Sequence, residues 1–352
     1  MCEHGTLVQT SEPDFDESMN ESAPVQSEPR PGFVWPAVRW LLRCGMWLLL
    51  LAYLFSFFGQ RFFVAELLSN FRYQFLILFI FATILARPLK ASWLLFTCMV
   101  FATAWSGWET GQLFLPVKQP EAGKTVFRVM SFNVLADNTE FETGVAEVRK
   151  HDPDVVAVLE YANMWHVAFD ALNESHPYQH RDPRWHGYGI AIFSKFPLES
   201  AKAIPLTEKF IDNPAAVANV IVDDQVFRIM AVHVMSPINR KRLELRNQQF
   251  KEIASNVNAE SIPTILVGDM NCSPASQYLS DLIDSANLRD SRRGFGIYGS
   301  WPGKPAPFSI PIDHVLVSSR IHVHNRFLGD AGGSDHQPVI VDVSISGDQD
   351  QE

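Results

Sequence analysis

The sequence predicts an α/β sandwich preceded by transmembrane helices, on three observations. Phe33 to Trp108 is dominated by large apolar and aromatic residues, whereas the composition past Glu121 is that of a soluble domain. In this second part, short β-rich runs mix with helical patterns without strict alternation, which favours a sandwich over a doubly wound parallel sheet. Five of those runs end in, or carry, an acid, an amide or an imidazole.

At 352 residues the chain exceeds the usual single-domain size. Residues 1–32 are rich in Glu, Asp, Ser and Pro, with too few apolar groups to offset the entropy of ordering, and are expected to form a disordered acidic tail. The apolar block, residues 33–108, divides at Gly59 to Arg72 and at Arg87 to Lys90, leaving segments near 41–58, 73–86 and 91–108. A spanning helix needs about 20 apolar residues. The first and third segments meet that length. The second is short and must recruit Phe62 to Phe71, Glu66 included, or else be re-entrant, so two to three transmembrane helices are expected. Trp, Tyr and Phe at the segment ends suit a bilayer interface better than a buried core hairpin. Arg39, Arg43, Arg87 and Lys90 would lie on the side of the tail. With the tail cytoplasmic, three spans place the C-terminal domain outside the cytoplasm, in an integral protein of the inner or plasma membrane.

Of the four cysteines only Cys272 falls in the soluble part, so no disulfide framework is implied. The formal charge is −10, a poor default for a binder of duplex phosphate. Arg240, Lys241, Arg242 and Arg246, and Arg289, Arg292 and Arg293, could form local basic patches but are expected to be solvated faces.

Residues 109–124 read as a linker. Strands are expected over Val126 to Val134, Val155 to Leu159, Gly189 to Ser194, Ala216 to Val222, Val226 to Val234, Thr264 to Val267, His314 to Val317 and Pro338 to Ile345. Helical patterns cover Phe141 to His151, Met164 to Ser175, Asn239 to Val257 and Ser276 to Ser285. The folded domain should run from 125 to 346, with 347–352 a second disordered tail.

Taken singly, a carboxylate at a strand end is usually a turn residue and a strand histidine a bonded core group. Together, Asn133, Glu160, His233, Asp269, Asn271 and Asp313 at strand ends, with Asp335 and His336 before the last run, say more. Strands of one sheet can bring their ends to one rim. A hard cation such as Mg2+ takes carboxylate and amide oxygens, which Glu160, Asn133 and Asp335 could supply. Phosphoester cleavage also needs an activated water and donors to the phosphate oxygens. Asp269 could handle the water; His233, Asn271 and His336 could donate. Carboxylates and imidazoles without a cysteine cage favour Mg2+ or Mn2+ over structural zinc.

At these residues the chain resembles the endonuclease/exonuclease/phosphatase superfamily. The matching pieces are Ser131-Phe132-Asn133-Val134, Leu159-Glu160, Tyr188 to Lys195, Val232-His233, Gly268 to Pro274, Ile312 to Val315 and Ser334 to Pro338, in the order of the family. The resemblance implies two packed, largely antiparallel sheets with helices outside, a four-layer sandwich. It implies that Glu160 is the main metal ligand and that Asp335 also faces the metal. Asn133 and Asn271 would position metal and phosphate, His233 contact phosphate and Asp269 handle the attacking water. His336 would sit on the scissile phosphate, braced by Asp313, with Gly332 and Gly333 turning the backbone tightly before it. Leu159 stands where many members carry Gln, and the link from Asp182 to Gly187 is short. His176, His180, His186, His322 and His324 show no metal spacing and are expected at the surface.

The resulting expectation is a membrane-anchored phosphoesterase whose partners are the lipid bilayer and a phosphoester: nucleic acid, sugar phosphate or lipid head group. No protein partner is predicted. The rival is an inactive binding or scaffold protein on the same fold, which would be expected to lose Glu160, Asp269 or His336 first; all three are present.

Overall fold

A computed structural model describes residues 34–185, 187–207, 213–303 and 308–347. The expected tails, Gly347 apart, lie outside these residues, as does His186. The apolar block folds as α1 (Val34–Phe55), α2 (Phe63–Ser69), α3 (Arg72–Ala86) and α4 (Trp93–Gly111). The helix Trp35–Phe58 is long and apolar enough to cross a membrane. The pair α2 and α3, bent by 74°, passes the same test if it is one broken span. The third apolar segment does not, because the last turns of α4 carry Ser106, Glu109 and Thr110 among the aromatics. A shared apolar core, with Tyr53, Phe75, Phe79, Leu95 and Met99, joins α1, α3 and α4.

The rest of the chain forms two six-stranded sheets. One has the order β11-β12-β1-β2-β4-β3, comprising Ile321–Leu328, Val339–Ile345, Val126–Asn133, Val155–Leu159, Ile190–Ser194 and Tyr178–Asp182. The other has the order β5-β6-β7-β8-β10-β9: Leu198–Pro205, Pro214–Val222, Gln225–His233, Thr264–Asp269, Asp313–Ser318 and Leu288–Asp290. β1 with β2 and β7 with β8 are parallel, and every other pair is antiparallel.

The layers follow from the side-chain period of two. Val129, Ala157, Leu159, Ile192, Ile229, Val267, Val315 and Val341 point between the sheets. Met130, Phe132, Val158 and Phe193 face the other way, under α5 (Phe141–His151) and α6 (Asn163–Ala168), with Trp165 filling the gap. Met230, Val232 and Leu266 lie under α7 (Arg240–Asn258) and α8 (Gln277–Ser285), with Phe250, Ile253 and Leu279. The four-layer sandwich is therefore as expected. Leu159 belongs to the inter-sheet core, so an apolar residue suits its position.

The parallel pairs at the middle of each sheet position the site. Parallel neighbours end on the same side, and an antiparallel neighbour starts where they end. The ends of β1, β2, β7 and β8 thus share one rim with the starts of β10 and β12. In register, His233 pairs with Asp269 and Asp313 with Asp269. The linker is not free: Gln119 donates to the Val323 carbonyl (3.0 Å), and Pro120 accepts from His322 (2.7 Å).

Candidate active site

All eight residues singled out from the sequence lie at this rim. Asp269 is buried at the end of β8, its Oδ1 accepting the Asn271 backbone N–H at 2.8 Å. Asn133 Nδ2 lies 3.0 Å from Glu160 Oε1 and 3.4 Å from Asp269 Oδ2, so this amide braces the two carboxylates. Its oxygen accepts from the Leu135 N–H (3.1 Å). Glu160 Oε2 accepts from the Ala136 N–H (3.0 Å). His233 gives its Nδ1 proton to the Gly187 carbonyl (3.0 Å), which aims Nε2 at Asp269 (3.6 Å) and Glu160 (3.9 Å).

His336 hydrogen bonds through Nδ1 to Asp313 at 2.8 Å, and its Nε2 lies 3.8 Å from Asp269 and 3.9 Å from Asp335. Ser334 fixes this loop: its hydroxyl donates to the Asn133 carbonyl (2.7 Å) and accepts the His336 N–H (3.0 Å). Asp335 accepts from Trp301 Nε1 (2.9 Å). Asn271 lines the cleft, but one of its amide hydrogens is committed to the Val234 carbonyl (2.9 Å).

Three residues at the site have strained backbone. Leu135, Glu160 and Asn271 have φ of 60°, 57° and 49°, left-handed conformations that are costly for non-glycine residues and tend to cluster at functional sites. At Gly268, with φ of 140°, a Cβ would stand 1.8 Å from the Val232 carbonyl oxygen, so only glycine fits. Gly332 and Gly333, at φ of 57° and 85°, form the tight turn expected before Asp335 and His336.

Burial sets the protonation states. It pushes Asp269 up to about 6, with the nearby Asp313 charge adding to the rise. For His336 burial acts downward, but the Asp313 charge and hydrogen bond outweigh it and lift the imidazole to about 10. Burial would raise Asp313, yet the His336 charge holds it below the ordinary carboxylate value. At neutral pH the dyad is therefore an ion pair, with a proton on His336 facing the cleft, while Asp269 is largely ionised.

Donor atoms of Asp269, Asp313 and His336 lie within 4.8 Å of one another. Because Asp313 and His336 bond each other, this trio holds a proton rather than an ion. The Glu160 and Asp335 carboxylates flank the more open side, Asp335 about half exposed. Three carboxylates that face one cleft, an oxygen donor set without thiolate, fit a hard cation such as Mg2+ or Mn2+.

The cleft is about 610 Å³ and is lined also by Tyr188, Arg242, Trp301 and, from α2 and the turn after it, Leu67, Asn70 and Phe71. Among the basic clusters, the solvated-face expectation fails at four residues, one of them Arg289, which is half-buried and donates to the Ile321 carbonyl (2.7 Å). Arg242 lines the cleft and donates to Tyr188 Oη (3.2 Å). Arg246 is fully buried against Glu66 (2.6 Å), and Arg292 is buried against Asp290. Neither ion-pair partner has a sequence signal beyond its charge. His176 is also buried, bonded to the Pro153 carbonyl (2.9 Å), which corrects its surface assignment.

A model of the Endonuclease/Exonuclease/phosphatase family matches residues 130–336. No curated protein matches the chain. Among solved structures, an endonuclease/exonuclease/phosphatase from Beutenbergia cavernae DSM 12333 is 20% identical, with TM-score 0.54 over 64% of this chain and 72% of that one. TDP2 of D. rerio, solved with a single-strand DNA product, is 17% identical, with TM-score 0.54 over 63% of this chain and 100% of that one. A Bacteroides vulgatus protein described as an endonuclease/exonuclease/phosphatase is 17% identical, with TM-score 0.53 over 63% and 100%. These likenesses show the shared fold.

Proposed function

Because the chain belongs to the endonuclease/exonuclease/phosphatase family, we propose that it is a membrane-anchored phosphoesterase that cleaves phosphodiester or phosphomonoester bonds with the help of Mg2+ or Mn2+. The observation that carries this reading is the meeting, on one cleft, of a braced carboxylate and a braced imidazolium: Asp269 Oδ2 and His336 Nε2 lie 3.8 Å apart.

Asp269, ionised above about pH 6, takes the proton of the attacking water. His336 keeps its proton because Asp313 stands behind it, and donates to the phosphate where negative charge builds up. His233 Nε2 reaches the same space, and Arg242 supplies a cation on the cleft wall. Glu160 and Asp335 would hold the divalent cation, with Asn133 keeping the Glu160 carboxylate in place. When bound, the ion polarises a phosphate oxygen and offsets the charge of the acids.

The anchor is supported by large apolar side chains left exposed on three helices, among them Leu48, Leu51, Phe81, Ile84, Leu94 and Phe101. Such a surface is unfavourable in water and suited to lipid. The lysine and arginine bias at the loop between α3 and α4 supports an extracytoplasmic catalytic domain.

The test uses the full-length chain in detergent with bis(p-nitrophenyl) phosphate and p-nitrophenyl phosphate. Hydrolysis is expected with Mg2+ or Mn2+, lost on chelation, and reduced at least ~10²-fold in His336→Asn. Hydrolysis that persists in EDTA, or a His336→Asn variant as fast as the native chain, would refute the reading.

A further inference from the structure

Three features of the cleft bear on its substrate. Its wall is partly built by the apolar block: Leu67, Asn70 and Phe71 face the same space as Glu160, His233, Asp269 and His336. This wall is fixed to the catalytic domain by buried bonds. The Glu66 carboxylate accepts from Arg246 Nη2 and Ser276 Oγ, both at 2.6 Å, and Asn70 Oδ1 accepts the Ser273 N–H at 2.6 Å. Arg246, on α7, also donates to the Asn271 carbonyl (3.3 Å), so it bridges α2 to the loop that carries Asp269 and Asn271. The cleft therefore has a set position relative to the helices.

The second feature is where the wall lies along those helices. Phe71 directly precedes Arg72, the first residue of α3, which turns 74° away from α2 into the apolar bundle. Arg72 and the Tyr53 hydroxyl both donate to Glu109 there, a polar layer at the domain end of α1, α3 and α4. Polar groups of this kind, next to Trp108 and Phe57, mark the level of a bilayer surface. The Phe71 wall of the cleft is thus joined directly to that level. The third feature is its lip, which is apolar on both sides: Phe71 is 43% exposed, Ile238 68% and Trp301 37%. All three line the cleft.

We propose, resting on the phosphoesterase reading above, that the substrate is a lipid phosphoester presented from the bilayer. Its phosphate reaches Asp269 and His336 while its apolar portion stays against Leu67, Phe71 and Ile238. In the reaction the water oxygen bonds to phosphorus and the P–O bond to the leaving alcohol breaks. The proton of the water passes to Asp269, the leaving oxygen takes its proton from His336, and return of the proton from Asp269 to His336 restores both groups, one water being consumed per ester. A nucleic acid is disfavoured because Leu67, Asn70 and Phe71 take up one wall of the cleft with mainly apolar surface, where a polyanionic strand finds no cationic partner.

The experiment uses the full-length chain in dodecyl maltoside micelles with Mg2+. Dioleoyl phosphatidic acid, phosphatidylglycerol and phosphatidylethanolamine are compared with their deacylated counterparts, with single-stranded DNA and with bis(p-nitrophenyl) phosphate. At least one lipid should be cleaved ~10²-fold faster than its deacylated form, as expected from burying a few methylenes. Its rate should follow the mole fraction of lipid in the micelle at fixed bulk concentration. Phe71→Asp should reduce the acylated-to-deacylated rate ratio at least ~10-fold. Ile238→Asp, on an exposed loop, should do the same even if the first variant fails to fold. Equal rates on acylated and deacylated forms, faster cleavage of DNA, or cleavage of bis(p-nitrophenyl) phosphate without any of the lipids would overturn the lipid assignment and leave the phosphoesterase reading standing. Metal-dependent cleavage of none of the substrates would overturn both.

Discussion

Replacing Asp313 by Asn keeps the shape and a hydrogen-bond acceptor but removes the charge 2.8 Å from His336 Nδ1. In the native chain that charge outweighs burial and holds the imidazole at about 10. Without it, burial is opposed only by the Asp269 and Asp335 charges, and the imidazole returns toward the ordinary histidine value of about 6.5. The pH profile of kcat/KM should therefore change on one side only. The native chain is expected to show a bell, rising through about pH 6 as Asp269 ionises and falling near pH 10 as His336 loses its proton. In Asp313→Asn the falling limb moves down by some three units. A histidine with a pKa of about 6.5 is only about 3% protonated at pH 8, which corresponds to a roughly 30-fold loss there and a much smaller one near pH 6. The assay is bis(p-nitrophenyl) phosphate hydrolysis at saturating Mg2+ from pH 5 to 10. Stability gives a second readout. Since the folded-state pKa of His336 is raised, its contribution is complete below about 6.5 and disappears as pH rises through about 10. That slope in melting temperature should flatten in the variant. An unchanged falling limb would refute the pairing of Asp313 with a catalytic imidazolium.

Further outcomes follow from the same geometry. Asp269→Asn should lower kcat at least ~10²-fold while raising the melting temperature above pH 6, because it removes a charge that burial disfavours; a paired fall in both would make Asp269 structural. Glu66→Ala leaves the guanidinium of Arg246 buried without a counter-charge, at a cost of about 3–5 kcal/mol, or roughly 10 °C in melting temperature measured in micelles. A shift within error would show that α2 is not docked as described. Gly268→Ala places a Cβ against the Val232 carbonyl, and loss of folded protein on gel filtration is the expected result; a monodisperse, active variant would contradict that strand geometry.

Eight strands were legible in the sequence and four were not, and the division is physical. Those read are the interior strands β12, β1, β2 and β4 of one sheet and β6, β7, β8 and β10 of the other. Their neighbours bury them, as in the fully buried Val-Val-Ala-Val-Leu of β2, and they read as unbroken apolar runs. The unread ones, β3, β5, β9 and β11, are the four edges. Tyr-Gln-His-Arg-Asp in β3 and Leu-Glu-Ser-Ala-Lys in β5 are half exposed and carry charge, as edges do to avoid further pairing.

The site was legible for a related reason, since its residues directly terminate or precede those readable interior strands. The α2 wall was not. Glu66 and Arg246 lie 180 positions apart; alone, Arg246 looks like a solvated charge and Glu66 like an interruption of an apolar segment. Only the docking of α2 on α7 and α8, through Arg246 and Ser276, removes both from water.

The central claim, that these side chains form one metal-dependent hydrolytic site, is tested most directly at Glu160. Mn2+ affinity, by calorimetry on the chelator-stripped chain, and turnover of bis(p-nitrophenyl) phosphate are measured on the same samples of the native protein and Glu160→Gln. Mn2+ should bind the native chain, bind the variant at least ~10-fold more weakly, and support turnover at least ~10²-fold lower in the variant. Native and variant chains that bind Mn2+ equally and turn over at the same rate would contradict it.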